Sequence, residues 1–236
     1  MSKQKNCIVI GGSTGIGFEV AKLSLEDGLK VIIASRSEQK LSSAKERLNN
    51  QVEIEAVDMR DEKSLDCLFS KFGKVDHLVV TASDIEFGPV AELSLDKAKA
   101  SFDSKFWGPY TAVKAAIPYL SDDASVTLFS GGFSQRPQPG AAVIAAINCA
   151  IEGLCRALSL ELAPIRINVV APGLTDTEHF DHFSDNEKSK FFNAFCNKLP
   201  IKRPAQAHEI AQAAIYLIKN TYSTGATVYV DGGYTV

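Results

Sequence analysis

The sequence predicts a single α/β domain with a doubly wound, parallel sheet of seven strands. Short runs rich in Val and Ile alternate with helical patterns almost to the end of the chain, an order that is typical of such sheets. The runs are apolar at most positions, as expected for strands that are buried on both faces. The 236 residues suit one undivided domain of this class, residues 1–236. The predicted strands are residues 7–10, 31–34, 53–57, 77–80, 126–129, 167–170 and 227–230.

Helical patterns between these strands predict the crossover helices. Asp61 precedes one of them and suits the N-cap position, where a side-chain oxygen accepts from a free backbone N–H group. Another begins after Ser94. Pro164 ends another, because the residue before a proline disfavours helical geometry. The predicted helices are residues 15–26, 40–48, 62–72, 95–119, 142–163 and 208–218.

The segment 175–204 has the weakest pattern, and two interpretations of it stand side by side. A long segment next to a site can form a mobile lid or a helical flap over that site. It can equally form plain surface helices that bury one apolar face. The segment is rich in aromatic residues, which are Phe180, Phe183, Phe191, Phe192 and Phe195.

Composition excludes several classes of function. The net charge of -3 and the pI of about 5.8 leave no basic field for a phosphodiester backbone, so no nucleic-acid partner is expected. The 5 cysteines are scattered without CxxC pairs, which predicts reduced thiols rather than disulfides or a zinc site. A polar N-terminus and the lack of a long apolar stretch predict a cytoplasmic protein without a membrane partner. His179 and His182 are spaced for a metal pair but lack further ligands, so no metal is expected.

The first predicted strand runs directly into a glycine-rich loop that opens the first helix. Glycines let the backbone turn sharply and approach a pyrophosphate, whose charge the N–H groups of the helix N-terminus then bind. A flexible glycine turn is the alternative, but the position between strand and helix favours a Rossmann-type dinucleotide site. Two hydroxyl groups add donors to the loop, which comprises Gly11, Ser13, Thr14, Gly15, Ile16 and Gly17.

The end of the second strand predicts which dinucleotide binds. A site selective for NAD would place Asp or Glu there, to bond both ribose hydroxyls. Ser35, Arg36 and Ser37 stand there instead, and a guanidinium can pair bidentately with a 2′-phosphate. We therefore predict NADP(H) as the cofactor; the alternative is that Arg36 is only a solvated surface charge. Further predicted contacts follow the third and fourth strands, namely Asp58, which can accept from the adenine amino group, Met59, Thr81, Ala82 and Ser83.

These residues make the chain resemble the short-chain dehydrogenase/reductase family over nearly its whole length. Gly11, Gly15 and Gly17 match the family's GxxxGxG spacing, Asp58 matches its adenine-side acid, and residues 165–173 resemble its sixth strand. The motif after the fourth strand, usually NNAG in the family, is degenerate here as VTAS. The resemblance implies that the nicotinamide amide is held by the segment after Pro-Gly, which comprises Pro172, Gly173, Leu174, Thr175 and Thr177.

The catalytic residues that the resemblance implies are mostly replaced. The family uses a Tyr that gives a proton and, four residues later, a Lys that lowers the tyrosine pKa and binds the nicotinamide ribose. It also uses a Ser that steadies the substrate oxygen and an Asn that supports a water relay. Alignment places Ile144 at the Tyr position and Asn148 at the Lys position. The Ser position falls on Gly131, or on Ser130 after a shift of one residue, and the Asn position is Lys105.

Four polar residues therefore remain as catalytic candidates: Lys105, Ser130, Asn148 and Asp176. A partly buried lysine has a lowered pKa and can act as an acid or stabilise an oxyanion, whereas a surface lysine would do neither. Asn148 can bond a ribose hydroxyl but brings no charge. Asp176 and Arg136 lie in loops near the expected substrate, where an acidic group could hold a cation such as an iminium; both can equally be ordinary loop residues.

Three hypotheses about function follow from an intact cofactor end and an altered catalytic end. The first is an NADPH-dependent oxidoreductase that transfers hydride to a small-molecule acceptor of the quinone, enone or iminium type, for which a proton donor matters less. The second is an NADP(H)-binding pseudoenzyme or sensor, and the third is a cyclase or isomerase that uses bound NADP(H) structurally. The resemblance also implies a homodimer or homotetramer that pairs helices 95–119 and 142–163.

Overall fold

The structure, a computed structural model, describes residues 4–236. Its strands are β1 Asn6–Ile10, β2 Lys30–Ser35, β3 Glu53–Ala56, β4 Val75–Val80, β5 Leu120–Phe129, β6 Arg166–Pro172, β7 Thr175–Asp176, β8 Ala205–Gln206 and β9 Thr227–Val230. Seven of them form one parallel sheet in the order β3-β2-β1-β4-β5-β6-β9, and the short β7 and β8 pair separately. The chain reverses the direction in which it adds strands between β1 and β4, which leaves a crevice at their carboxyl ends.

The predicted doubly wound sheet of seven strands is confirmed, and the strands differ from the prediction mainly in where they begin. The largest difference is β5, which begins at Leu120 instead of residue 126. Its first residues include Ser121, Asp122 and Asp123, and the register with β4 shifts between Val75 and His77. Apolar patterning could not reveal this part of the strand, because four of its six residues, 120–125, are polar.

Helices cover both faces of the sheet. They are α1 Gly15–Glu26, α2 Glu38–Arg47, α3 Glu62–Phe72, α4 Leu95–Phe102, α5 Gly108–Ala116, α6 Ala142–Glu161, α7 Asp185–Cys196 and α8 Ala207–Lys219. Alternate strand residues point to opposite faces, so Ile8 packs with α3, α5 and α6, whereas Val9 packs with α1, α2 and α8. The N-cap predicted for α3 is present, since the Asp61 side chain accepts a backbone N–H group there, and Ser94 caps α4 in the same way.

The predicted helix 95–119 is wrong as one regular helix. A π-helical turn, Asp103–Trp107, separates α4 from α5, and a 3₁₀ turn, Ile117–Tyr119, ends the segment. Pro109 gives the physical reason, because it has no N–H group to donate to the carbonyl four residues earlier, that of Lys105. π turns inside helices often mark functional sites, and this one carries Lys105.

The segment 175–204 forms β7, a 3₁₀ turn at Glu178–Phe180, and α7. We call residues 178–196 the flap. A capping box starts α7, in which Ser184 accepts the Glu187 N–H and the Glu187 side chain accepts the Ser184 N–H. Phe192 and Cys196 are buried, Phe180, Phe183 and Phe191 contact one another, and Phe195 stacks on Tyr234. The mobility proposed for this segment stays a prediction.

Among the described residues, α6 alone has the length and composition of a membrane span, with a mean hydropathy of 1.6 over its most apolar window. Its inner face, which includes Ile147, Ile151 and Cys155, is fully buried. Core helices commonly have this composition, and α6 packs against β5 and β6 of the central sheet.

Candidate functional site

A crevice of about 1040 Å³ lies at the carboxyl ends of the strands, between the sheet and the flap. Every residue that the sequence assigned to the cofactor lines it, although these residues come from distant parts of the chain. Four clusters of them lie at the ends of β1, β2, β3 and β4, a fifth lies at the end of β6, and Asn148 comes from α6. The full set is Gly11, Ser13, Thr14, Gly15, Ile16, Gly17, Ser35, Arg36, Ser37, Asp58, Met59, Thr81, Ala82, Ser83, Asn148, Pro172, Gly173, Leu174, Thr175 and Thr177.

The glycine loop is packed too closely for side chains. Gly11 has φ +91, and a Cβ there would lie 2.5 Å from the backbone nitrogen of Ala82. A Cβ on Gly17 would overlap the carbonyl oxygen of Gly11 and lie 2.6 Å from Thr81 Oγ1. The loop therefore presents bare backbone at the start of α1, as a site for a pyrophosphate requires.

Gly17→Ala is therefore expected to lower the free energy of unfolding by about 3 kcal/mol and to weaken dinucleotide binding, because backbone atoms must move apart. Thermal unfolding and cofactor titration measure the two effects. Gly153→Ala in α6 is the control, since its Cβ would meet only the tip of the Arg156 side chain, at 3.9 Å. That change should stabilise the helix by about 0.5–1 kcal/mol. Equal stability of the two variants would contradict the packing argument.

A carboxylate of the flap accepts a hydrogen bond from one N–H group of this loop. Glu178 Oε2 accepts from the Gly15 backbone N–H at 2.8 Å, and Glu178 Oε1 lies 3.9 Å from Arg47 Nη1. The N-terminus of a helix attracts anions, so a carboxylate is stabilised there. Sequence reasoning missed Glu178, because nothing local shows that residues 15 and 178 meet.

The end of β2 offers a place for a 2′-phosphate. Arg36 is exposed at the crevice, and its Nη2 lies 3.8 Å from Asp84 Oδ2. The buried Ser35 Oγ has no hydrogen-bond partner among the described residues, which leaves it available to a ligand. Lys40 and Arg60 line the same end and add two cations that the sequence analysis missed.

Asp58 has a closer partner than the predicted adenine. Arg60 donates to it from its side chain at 3.0 and 2.6 Å and from its backbone N–H at 3.0 Å. These hydrogen bonds lower the pKa of Asp58 and keep it ionised. An adenine amino group would have to share this carboxylate with Arg60.

The two altered positions of α6 lie one helical turn apart in the crevice. Ile144 is 3% exposed and offers no proton. Asn148 is 1% exposed, and its Nδ2 donates to the Gly131 carbonyl at 3.2 Å. Its Oδ1 is buried without a partner among the described residues. Neither side chain can supply the proton that the usual tyrosine would supply.

Lys105 reaches the same crevice from the π turn. Its Nζ donates to the carbonyl oxygen of Ser130 at 3.1 Å, and no carboxylate of the described chain pairs with it. Burial lowers the pKa of the Lys105 ammonium to about 8, because desolvation disfavours the charged form. The Ser130 hydroxyl, by contrast, does not face Lys105 but donates to Glu152 Oε1 at 3.0 Å.

Asp176 does not line the crevice, and the expectation that it faces the substrate needs correction. It lies in a neighbouring cavity of about 380 Å³, where Lys188 Nζ pairs with it at 2.7 Å. The reason is the extended backbone of β7, in which successive side chains point to opposite sides. Thr175 consequently lines the crevice, Asp176 lines the neighbouring cavity, and Thr177, which follows β7, borders both.

Arg136 has a structural contact instead of the proposed substrate contact. Its Nη1 donates to the carbonyl oxygens of Tyr234 and Val236, at 2.9 and 3.3 Å. The guanidinium therefore holds the C-terminal residues against the loop that follows β5. The residues that the structure describes also contain no cluster of His, Cys, Asp or Glu that could hold a metal ion.

Aromatic side chains form a large part of the crevice lining. The flap contributes histidine and phenylalanine rings, and the body of the domain contributes two phenylalanines and a tyrosine. Such a wall suits an acceptor with a large apolar surface. The aromatic lining residues are Phe87, Phe133, His179, Phe180, His182, Phe183, Phe191, Phe195 and Tyr234.

The residues present fit a dinucleotide with a 2′-phosphate. Bare glycines and the start of α1 suit the pyrophosphate, and Arg36 with its neighbouring cations suits the 2′-phosphate. The unpartnered Ser35 Oγ and Asn148 Oδ1 lie at the two ends of the same crevice. The geometry therefore accommodates an extended ligand that runs from β2 to α6.

Comparison with known proteins agrees with this geometry. Residues 11–235 match the model of a family described as Enoyl-(Acyl carrier protein) reductase. Short-chain dehydrogenase/reductase ATR9 of Stachybotrys chlorohalonatus is 33% identical over 246 aligned positions, which cover 97% of this chain and 96% of that protein.

Two solved structures are also similar over nearly their whole length. A small-chain dehydrogenase in complex with NADPH is 36% identical, with a TM-score of 0.87 and 98% of each chain covered. MalC Reductase/Diels-Alderase from Malbranchea aurantiaca is 29% identical, with a TM-score of 0.90, covering 98% of this chain and 96% of that one. With its glycine loop, its parallel sheet and these relatives, the chain belongs to the short-chain dehydrogenase/reductase family.

Proposed function

We propose that this protein is an NADPH-dependent reductase that delivers hydride to an activated, carbonyl-type acceptor such as a quinone or an enone. The observation that carries the proposal is Lys105, an unpaired ammonium inside a crevice from which the usual tyrosine is missing. The cations at the end of β2 support NADPH rather than NADH, and a solved relative is an NADPH complex.

Lys105 has the chemistry that such a reduction needs. Bound NADPH supplies the hydride, and negative charge then develops on the acceptor oxygen. A fixed ammonium in a poorly hydrated site stabilises that charge, and it can transfer one proton to the oxygen. Asn148 can bond the nicotinamide ribose through its unpartnered Oδ1. Ile144 adds only an apolar surface.

Of the acceptors considered, the site favours the neutral carbonyl types over an iminium ion. The carboxylate that was to hold an iminium, Asp176, is paired with Lys188 in the neighbouring cavity. Lys105 would repel a cation in the inner part of the crevice. A quinone or an enone instead develops its negative charge where that ammonium lies.

The experiment that tests this proposal is NADPH oxidation with stereospecifically deuterated cofactor. The panel holds quinones, enones, iminium ions and plain ketones. Deuterium in the product of a quinone or an enone is expected, together with slow reduction of plain ketones. Tight NADPH binding without turnover of any acceptor would instead support the pseudoenzyme or sensor.

A second function, cyclisation beside a cofactor that is not consumed, is favoured by two observations. The crevice has an aromatic wall large enough to fold an apolar substrate, and a related structure is described as both a reductase and a Diels-Alderase. Product formation from a tethered diene and dienophile, at equal rates with NADPH and NADP⁺, would identify this activity.

We also propose that the protein forms a homodimer or homotetramer through the apolar surfaces of α5 and α6. Only 39% of the most apolar window of α6 is buried within one chain, and Trp107 beside α5 is 51% exposed. A second copy would cover these surfaces, since apolar patches of this kind mark interfaces. Sedimentation velocity should therefore show a species larger than the 25.5 kDa monomer. A single monomeric boundary at micromolar concentration would contradict it.

A further inference from the structure

Glu152 is a buried acid of α6 that takes no part in the chemistry described so far. It is 5% exposed, its Oε1 accepts from the Ser130 hydroxyl at 3.0 Å, and its Oε2 accepts from the Tyr229 hydroxyl at 3.1 Å. No ion pair of residues 4–236 includes it. Burial of an acid without a cation lowers the stability of the fold, so stability alone does not explain why an acid occupies this position.

Ser130 forms hydrogen bonds with both Glu152 and Lys105. Ser130 uses its hydroxyl group for Glu152, its carbonyl oxygen for Lys105 Nζ at 3.1 Å, and its N–H group for Val170 at 3.0 Å. The orientation of this one residue therefore decides where the acceptor of the lysine ammonium lies. The sheet fixes one side of Ser130, and Glu152 fixes the other.

Helix α6 also forms a hydrogen bond with the next residue of this loop, Gly131. Asn148 lies four residues before Glu152 on the same helical face, and its Nδ2 donates to the Gly131 carbonyl. Gly131 has no side chain to anchor it, so its position depends on such outside contacts. Tyr229 connects the assembly to β9, because its hydroxyl reaches Glu152 and lies 3.4 Å from Ser134 Oγ.

We propose that Glu152 is a positioning residue, which acts through Ser130 to hold the Lys105 ammonium at the reacting end of the crevice. The inference rests on the proposed function of Lys105 as the acid. Lysine has a flexible four-carbon stem, so its ammonium stays in one place only where a fixed acceptor holds it. A displacement of about 1 Å can lower a rate by about a hundredfold.

The test compares Glu152→Met, Glu152→Gln and the control Glu161→Met, which changes an exposed acid of the same helix. Methionine keeps the volume but leaves the Ser130 hydroxyl without its acceptor, whereas glutamine keeps an acceptor. With 1,4-naphthoquinone as the probe, Glu152→Met should lower kcat by about tenfold to a hundredfold with little change in the KM for NADPH. Glu152→Gln should stay within about threefold of the native kcat, and Glu161→Met should equal it.

A double-mutant cycle with Lys105→Met separates positioning from general destabilisation. If the proposal holds, Glu152→Met lowers kcat in the native chain and adds nothing once Lys105 is gone. An equal loss in both backgrounds would overturn it, because Glu152 would then act without the lysine. Circular dichroism checks that each variant is folded.

A second readout does not depend on activity. Reductive methylation with ¹³C-formaldehyde gives an NMR signal for the Lys105 ammonium, which is assigned by its loss in Lys105→Met. Glu152→Met should shift the titration midpoint of this signal, whereas Glu161→Met should not. An unchanged midpoint in Glu152→Met would overturn the positioning role. If Lys105→Met left turnover intact, the proposed function would fail, and this titration would still decide the part that Glu152 plays.

Discussion

Replacing Lys105 by methionine is expected to lower the reduction of quinones and enones by about 10²–10⁴-fold, the usual contribution of a positioned acid. Methionine preserves the length of the side chain and removes the ammonium that contacts the Ser130 carbonyl. NADPH affinity should change little, because no part of the predicted cofactor site depends on this group. Steady-state kinetics and a separate fluorescence titration of NADPH measure the two quantities.

The rate of turnover should also depend on pH, because only the protonated Lys105 can act as an acid. Burial lowers the pKa of Lys105 from 10.5 to about 8, so the ammonium predominates below that pH and is lost above it. An acid must be protonated to act, so kcat/KM should fall as the pH rises through about 8. Lys105→Met should lack this fall. A native profile that stays flat to pH 10 would show that the ammonium takes no part in the rate.

Lys99→Met is the matched control for both experiments. Lys99 is an exposed lysine of α4, less than two turns from the π turn. Its replacement should leave the rate and the pH profile unchanged. An equal loss of reduction rate in the two variants would mean that any lysine change in this segment disturbs the fold. The role of Lys105 as the acid would then be contradicted.

Replacing Arg36 by alanine should weaken NADPH binding by about tenfold to a hundredfold and leave NADH binding nearly unchanged. Hydrogen bonds to a charged group contribute about 1.5–3 kcal/mol, and only NADPH carries the 2′-phosphate. Lys40 and Arg60 remain at this end of the crevice and should keep part of the preference. Paired isothermal titrations with the two cofactors measure the ratio.

Arg203→Ala serves as the control for the cofactor ratio, since this arginine pairs with Glu209 and does not line the crevice. An Arg36→Ala variant that keeps the full preference for NADPH would place the selectivity on Lys40 and Arg60. Equal affinities of the native protein for NADPH and NADH would contradict the reading of this strand end.

The sequence predicted the features whose signal is local. The glycine loop, the cation at the end of β2 and the order of strands and helices follow from short patterns, and the structure contains them. Asp176 shows the limit of such reasoning, because proximity in sequence to the nicotinamide segment did not reveal that its side chain faces the other way.

Contacts between segments that are distant in the sequence could not be predicted from local patterns. The bond between Glu178 and Gly15 and the pairing of Glu152 with Ser130 join residues that no local pattern connects. The π turn at Lys105 was missed because a helical periodicity tolerates one extra residue, although Pro109 was visible as a reason for it. Tertiary contacts decide such details, and they decide most of the catalytic end.

The contact between Glu178 and the Gly15 N–H connects the flap to the loop that would hold the pyrophosphate of the dinucleotide. The flap carries the carboxylate, and it also carries the rings that would surround an acceptor. Any acceptor that shifts the flap must therefore change the affinity for the dinucleotide, and by reciprocity the dinucleotide must change the affinity for that acceptor by the same factor. The size of this coupling would then depend on one glutamate, and Glu178→Gln should reduce it.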